Sequence, residues 1–351
     1  MLLPPNRRSD AHSYNPARAV FLVAATLVFA SACANDEADP EGASLVRSIA
    51  RADPSGWTLV VLPDTQNAIH GFPEVVEEQA RWIINNAGRL NVVAVVHVGD
   101  ITNDNSETQW QRARDALLPI NDVAPLVMVT GNHDLGEGGS ANERASLFSE
   151  FFPWSEFESN GVDNVRFSET SSENAVFRFE TPTGPVSIVA LEFGPRDEVV
   201  RWAKSAYQPL PGERAILVTH SYLYFDATRY DAERAPEQLW RPGIYGIASS
   251  NEGVNDGEQL FQNLIADTPE YDLVLSGHVL DVGVARARSE QTSGHVHEVV
   301  ANYQEEEFGG NGFLRLMRFS ADGSSVHVET YSPLLDEVRD DDANRFRLAL
   351  D

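Results

Sequence analysis

The chain has 351 residues, 42% of them hydrophobic, enough for a substantial core in one large domain or two ordinary ones; a disordered chain and a disulfide-stapled miniature are both excluded. Its 53 Asp and Glu stand against 26 Lys and Arg, a formal net charge of -27, so long-range attraction to nucleic acid is disfavoured and no sequence-specific nucleic acid binding is expected. The single cysteine, Cys33, excludes an internal disulfide and any cysteine-rich metal site.

Residues 1–18 carry Arg7, Arg8 and Arg18 against Asp10 and precede an apolar run from Ala19 to Ala30, followed by Ser31-Ala32-Cys33. This is the layout of a signal peptide, and the run is shorter than the roughly 20 apolar residues of a spanning helix. Residues 1–32 resemble a bacterial lipoprotein signal, in which small residues precede a cysteine that is lipidated and starts the mature chain; Ala30 stands where that family usually has Leu. An ordinary secretory signal cut at Ala30-Ser31-Ala32 is the alternative. Either way the protein is expected outside the cytoplasm, in the periplasm or at the cell surface, and Cys33 is the candidate lipid anchor to the outer membrane. Residues 33–55 include Asn35 to Gly42, acidic and nearly free of apolar side chains, and read as a solvated tether.

From Trp57 onward short apolar runs alternate with amphipathic stretches, as expected for strands buried under crossover helices. Strands are predicted at Thr58 to Leu62, Val92 to Val98, Leu126 to Thr130, Val186 to Leu191, Ala215 to Thr219 and Leu273 to Ser276. Helical spacing of Val76, Ala80, Ile83, Ala87 and Leu90 marks a helix over Pro73 to Leu90, and Ser106 with Gln109 forms a capping-box pattern ahead of Trp110. A further helix is expected from about Gly257 to Ala266, and Phe313 to Phe319 with Val326 to Tyr331 read as a hairpin. One domain over residues 56–333 with mixed sheets follows, with 334–351 set apart as a C-terminal tail. The long stretch from Ser221 to Asn255 lacks clear periodicity, the mark of a lid or wall segment.

Polar residues gather just after the strands: Asp64 and Gln66, Asp100 and Asn103, Asn132-His133-Asp134, His220, and His278. Turn formation accounts for one such Asp but not for five strand ends sharing the pattern, and parallel strands deliver their following loops to a common crevice. The segments Asp64-Thr65-Gln66, Gly99-Asp100-Ile101-Thr102-Asn103, Gly131-Asn132-His133-Asp134, Thr219-His220 and Gly277-His278 resemble, in this order, the motif series of the calcineurin-like metallophosphoesterases. Within that family the chain looks like a secreted bacterial subgroup with Asp-x-Gln as its first motif.

The resemblance implies an α/β fold, a four-layer sandwich of two mixed β-sheets flanked by helices. It also implies a two-metal site in which Asp64 and Gln66 bind the first ion, Asp100 bridges, and Asn132, His220 and His278 complete the second. Carboxylate, imidazole and amide ligands suit Mn, Fe or Zn. His133 is then the proton donor to the leaving oxygen or a contact to the phosphate, with Asp134 orienting its ring, and Asn103 either contacts the phosphate or caps its turn. The substrate would be a phosphorylated small molecule or nucleotide-like ester, hydrolysed as a monoester or diester by metal-activated water.

Two positions depart from the family pattern. Gln66 stands where a histidine is usual, and Leu280 takes the place of the second histidine in the last motif. One firm site and one weaker site are therefore expected, with Asp281 and Asn302 as candidate replacements near the first metal and Asn302 also a candidate substrate contact. The missing ligands motivate a competing reading, a catalytically silent lipid-anchored binding protein that keeps the fold and one metal. His97, inside its strand, is expected to be buried and hydrogen-bonded; His295 and His297 are expected at the surface. The aromatic group Tyr222, Tyr224, Phe225, Trp240 and Tyr245 reads either as a local core or as a wall of the site.

Overall fold

The structure, a computed structural model, describes residues 55–158, 163–280 and 283–351. The expected signal peptide, the tether up to residue 54, Cys33 and Asp281 lie outside the described residues. In chain order the strands are β1 (Trp57–Leu62), β2 (Val92–His97), β3 (Leu126–Met128), β4 (Val165–Arg166), β5 (Ala175–Thr181), β6 (Gly184–Leu191) and β7 (Arg214–Thr219). There follow β8 (Tyr271–Ser276), β9 (Val284–Glu290), β10 (His295–Ala301), β11 (Leu314–Phe319), β12 (Ser325–Ser332), β13 (Glu337–Arg339) and β14 (Arg345–Ala349).

They form two mixed sheets. The first runs β13-β12-β11-β1-β2-β3, with β14 also paired to β12, and the second runs β4-β5-β6-β7-β8-β10-β9. In each sheet the centre is parallel, β1-β2-β3 in one and β6-β7-β8-β10 in the other, and the flanks are antiparallel. The fold is thus the expected α/β architecture of two mixed sheets with helices. One core cluster holds side chains of both sheets, among them Leu59 and Val95 from the first and Ile188, Val218 and Leu275 from the second, so the two sheets share their main apolar layer. A second cluster packs Leu217, Val274, Val199 and Leu264 over the other face of the second sheet.

The helix Pro73–Leu90 has the predicted bounds: Pro73 sits at its start, where the missing N–H costs no bond, and Asn91 ends it in the left-handed region at φ 50°. Its neighbour Glu107–Leu117 is present too, but no capping box forms: Ser106 makes no side-chain cap bond, and the Gln109 side chain is used by Asn103 N and Asp104 N. A capping box does occur at Asp256 with Gln259, where the sequence reading placed only a helix start. That helix is α-helical over Gly257–Leu260 and continues as a π-type turn over Phe261–Ile265.

The structure departs from the sequence reading at the C-terminus. Residues 334–351, set apart as a tail, carry β13 and β14, both antiparallel to β12, and Phe346 and Leu348 join the main core. This last strand also covers His295 and His297, which are buried rather than exposed: His297 Nε2 donates to the Ala349 carbonyl at 2.7 Å, and His295 contacts the Asp351 carboxylate. A side-chain contact across 52 residues, made when β14 docks on β12, overrode a local pattern that resembled an exposed hairpin turn. Among the described residues no helix is long and apolar enough to cross a membrane.

Candidate metal centre

Both sheets send the ends of their parallel strands to one place. Asp64 follows β1, Asp100 follows β2 and Asn132 follows β3 in the first sheet; His220 follows β7 and His278 follows β8 in the second. The chain turns there through unusual backbone: Asp100 lies at φ 49° and His278 at φ 74°, conformations costly for residues with a Cβ and typical of functional sites. Close approach by glycine makes room for the carboxylates. A Cβ on Gly131 would come within 2.1 Å of Asp100 Oδ1, and one on Gly277 within 2.0 Å of Asp64 Oδ1.

At the centre, Asp100, His220 and His278 each offer a ligand atom, all within 4.8 Å of one another and all buried. Backbone carbonyls set the imidazole tautomers. His220 Nδ1 donates to the Val98 carbonyl at 2.8 Å, which directs Nε2 to Asp100 Oδ2 at 3.3 Å. His278 Nε2 donates to the Trp240 carbonyl at 2.6 Å, which leaves the Nδ1 lone pair facing His220 Nε2 at 3.2 Å. Carbonyls placed behind the rings in this way orient metal-binding histidines elsewhere. Electrostatics match the geometry. Burial pulls His220 down, but the Asp100 and Asp64 carboxylates outweigh it and hold its pKa up at about 9. Burial and the charge on His220 push His278 down to about 3. Burial works to raise Asp100, yet His220 beside it keeps it well below the usual carboxylate range. The proton held at His220 Nε2 thus occupies a place between lone pairs that a cation can take.

Two buried amide oxygens support that reading. Asn132 Oδ1 and Gln66 Oε1 have no hydrogen-bond partner, although both residues are 4% exposed. Orphaned buried acceptors are rare, and a cation satisfies them. The Asp100, Asn132, His220 and His278 donors therefore fit a metal ion. The Asp64 side differs. His278 N and Asn302 Nδ2 donate to Asp64 Oδ2 at 3.0 and 2.8 Å, and burial, reinforced by Asp100, pushes the Asp64 carboxyl well above its ordinary value although His220 opposes. Asn302, a candidate substrate contact, instead lies buried against Asp64, its amide bonded to that carboxylate and its Oδ1 accepting from Gln304 N at 3.0 Å.

The open face is a cavity of about 250 Å³ lined by Gln66, Asp100, Asn132, His133, Tyr245 and Leu280, with Asn103, Trp240, His278 and Gln304 also at its walls. His133 N donates to Asp100 Oδ1 at 2.9 Å, and His133 Nδ1 donates to the Asn103 carbonyl at 2.9 Å. The ring orienter is therefore this carbonyl and not Asp134. Asp134 is fully buried and accepts from Ile101 N, Thr102 N, Thr102 Oγ1 and Gly131 N at 2.8 to 3.1 Å, which clamps the loop after β2 to the loop after β3. Burial, with Asp100 close by, pushes its carboxyl up to about 6. Asn103 does line the cavity, while its Nδ2 donates to Asp104 at 2.7 Å. Gln109, read as a capping partner, accepts from Asn103 N and Asp104 N at 2.7 and 3.0 Å and so holds the segment whose carbonyl aims His133.

His97 is buried and bonds Thr65 Oγ1 at 3.0 Å and Gly99 N at 3.2 Å, and burial lowers its pKa to about 3; it ties two site loops together as a neutral ring. The aromatic loop divides between its two readings: Tyr222 and Tyr224 enter the second core cluster, and Trp240 and Tyr245 stand at the cavity wall. Phe193 packs edge-on against Tyr245 and tilted against His278, with centroids 5.2 and 5.3 Å away. A larger cavity of about 610 Å³ lies over Arg229, Glu258 and Glu298, away from the motif residues. There Arg229 already pairs with Glu298 and Glu258 at 2.8 and 2.7 Å.

The chain is similar to the uncharacterized protein YvnB of Bacillus subtilis (strain 168), 26% identical over 288 residues that make up 79% of this chain and 20% of YvnB. It is also similar to the "Probable cyclic nucleotide phosphodiesterase" of Vesicomyosocius okutanii subsp. Calyptogena okutanii (strain HA), 30% identical over 89 residues, 25% of this chain and 37% of that protein. The chain thus spans well under half the length of either relative. Among solved structures, a purple acid phosphatase from yellow lupin (Lupinus luteus) seeds aligns over 86% of this chain and 54% of its own, with 14% identity and a TM-score of 0.48. The family described as Calcineurin-like phosphoesterase matches residues 58–281, a stretch that carries all five motifs and most of the chain, and the protein belongs to that family.

Proposed function

We propose that this protein is a metal-dependent phosphoric ester hydrolase acting on a phosphomonoester or phosphodiester outside the cytoplasm. The observation that carries the reading is the placement of His133 on the same cavity wall as Asp100, Asn132 and His278, with its Nδ1 tied to Asn103. Asp64, Gln66 and Asp100 would hold one cation and Asp100, Asn132, His220 and His278 the other; when bound, the ions, Mn, Fe or Zn, supply charge to the phosphate oxygens and activate water. They also bring positive charge into a chain whose net charge is -27.

The protein's own groups do the rest. Because Asn103 accepts the Nδ1 proton, Nε2 is the ring nitrogen left for the substrate, and it delivers a proton to the departing oxygen. The Asp134 clamp and the Gln109 staple hold the two loops that set this ring against Asp100. Trp240 and Tyr245 offer an apolar wall to the leaving group. Export and lipid anchoring at Cys33 rest on the pattern of residues 1–33 alone. Fractionation tests them, since Cys33→Ala would release the protein from membranes.

The test of the function is hydrolysis of p-nitrophenyl phosphate and bis(p-nitrophenyl) phosphate by Mn²⁺-loaded protein, with loss of rate in His133→Ala. Absence of hydrolysis across mono- and diesters, with retained binding of phosphorylated ligands, would overturn the enzyme reading in favour of the silent binding protein.

A further inference from the structure

Gln304 belongs to none of the five motifs, yet it is built into the Asp64 side of the centre. It is 4% exposed, and its Oε1 accepts from Gln66 Nε2, which also donates to Asp100 Oδ2 at 3.1 Å. Its backbone is fixed at both ends of the residue: the N–H donates to Asn302 Oδ1 at 3.0 Å, and the carbonyl accepts from Asn67 Nδ2 at 3.0 Å. Asn302 in turn donates to Asp64. Gln304, Gln66, Asp100 and Leu280 line the same cavity. The side chain is therefore held against Gln66, whose amide also reaches Asp100, the second cavity-lining donor of the first metal position.

We propose that Gln304 is a ligand of the first cation, supplying the donor that Leu280 lacks, so that Asp64, Gln66, Asp100 and Gln304 make a site of oxygen donors alone. This inference rests on the two-cation reading above. Its second support is the orphaned Gln66 Oε1, buried without a partner. At present the Gln66 amide turns its N–H group toward Asp100 Oδ2 and Gln304 Oε1, filling the space between two oxygens with protons. A half turn of that amide brings Gln66 Oε1 to the same two oxygens, and three acceptors with no proton among them call for a cation.

The consequence is a pair of unlike sites. Oxygen-only donors suit hard cations such as Mg²⁺ and Mn²⁺, whereas the imidazoles of His220 and His278 suit Zn²⁺ and Fe as well. The first position selects Mg²⁺ or Mn²⁺, and Zn²⁺ goes to the second.

The test reads metal binding and not turnover. Chelator-stripped protein is titrated with Mn²⁺ followed by electron paramagnetic resonance, with Mg²⁺ and Zn²⁺ as competitors in calorimetry. Wild type is expected to bind two Mn²⁺, one displaced by Mg²⁺ and the other by Zn²⁺. Gln304→Ala should weaken the Mg²⁺-sensitive Mn²⁺ by about tenfold or more, a scale that even outer-shell changes reach, and leave the Zn²⁺-sensitive one unchanged. Gln304→Glu should tighten the same site. Gln304→Met, of similar length without an amide, repeats the loss without opening a cavity, and metal-free melting curves verify that each variant folds. Wild type binding a single Mn²⁺, Zn²⁺ filling both positions equally, or unchanged Mn²⁺ affinities in Gln304→Ala and Gln304→Met would each overturn the proposal. A protein that shows this binding pattern but hydrolyses no ester defeats the hydrolase reading and leaves the ligand assignment standing.

Discussion

The two halves of the centre share Asp100 and little else. On one side, His220 and His278 have tautomers set by the Val98 and Trp240 carbonyls, and Asn132 holds an unpartnered oxygen, so the donors are arranged before any ion arrives. On the other, Asp64 is bonded to His278 N and Asn302, and Gln66 turns an N–H group toward its neighbours. The first arrangement need only give up the proton at His220 Nε2; the second must also turn the Gln66 amide and exchange its hydrogen bonds for ligation. The contrast shows that a shared bridging carboxylate does not make two metal positions equivalent, because the groups behind each ligand decide how ready it is.

Removing the shared member tests the contrast most severely. Asp100→Ala is expected to abolish Mn²⁺ binding at both positions and to lower kcat/KM by at least about 100-fold, measured by metal analysis after dialysis and by ester hydrolysis. If one ion survives at full affinity, the halves do not share this carboxylate. His133→Ala should lower kcat about 10²- to 10⁴-fold while both ions remain bound, which separates proton delivery from metal binding. Loss of metal in that variant would instead make His133 part of the ligand support.

Asp134→Asn gives a smaller effect. Asparagine cannot serve all four donors that Asp134 accepts, so thermal stability should fall by about 1 to 3 kcal/mol, read from a melting curve, and kcat should fall more than metal affinity because the clamp sets the His133 loop. The smallest change comes away from both halves. Burial and the nearby Glu192 push the Glu173 carboxyl up to about 7. A carboxyl raised on folding binds its proton more tightly in the native state, so stability from this group is present at low pH and declines as pH rises from about 4.5 toward about 7. Glu173→Gln should flatten that decline in a pH series of melting temperatures and leave Mn²⁺ binding untouched; altered binding would couple this cluster to the centre.

Most of the imidazole half was legible from local sequence. Each of its ligands follows a short apolar strand, and β1, β2, β3, β7 and β8 lie within two residues or so of their predicted bounds, because a strand buried on both faces announces itself as an unbroken apolar run. The other half depends on partners distant in the chain. Gln304 meets Gln66 across 238 residues, and no local pattern marks it. The role of Asp134 was equally hidden, since its neighbour in sequence, His133, is not its partner in space. β9 carries little local signal because Val284–Glu290 alternates small and charged residues at a sheet edge, and β14 is likewise a short alternating strand, Arg345–Ala349. His295 and His297 were misplaced for the same reason, their cover arriving only with the last strand.

The glycines behind the carboxylates divide the centre into what can be redesigned and what cannot. At Gly131 and Gly277 the first carbon of any side chain would fall on an oxygen of Asp100 or Asp64, so every substitution there deletes the ligand's seat along with the glycine. Gln66, Leu280 and Gln304 instead line the cavity, where a changed side chain meets open space or another side chain and not the backbone seat of a carboxylate. A mutational library aimed at new metal preferences would therefore find its variation at positions 66, 280 and 304, while the two glycines stay invariant in every active survivor.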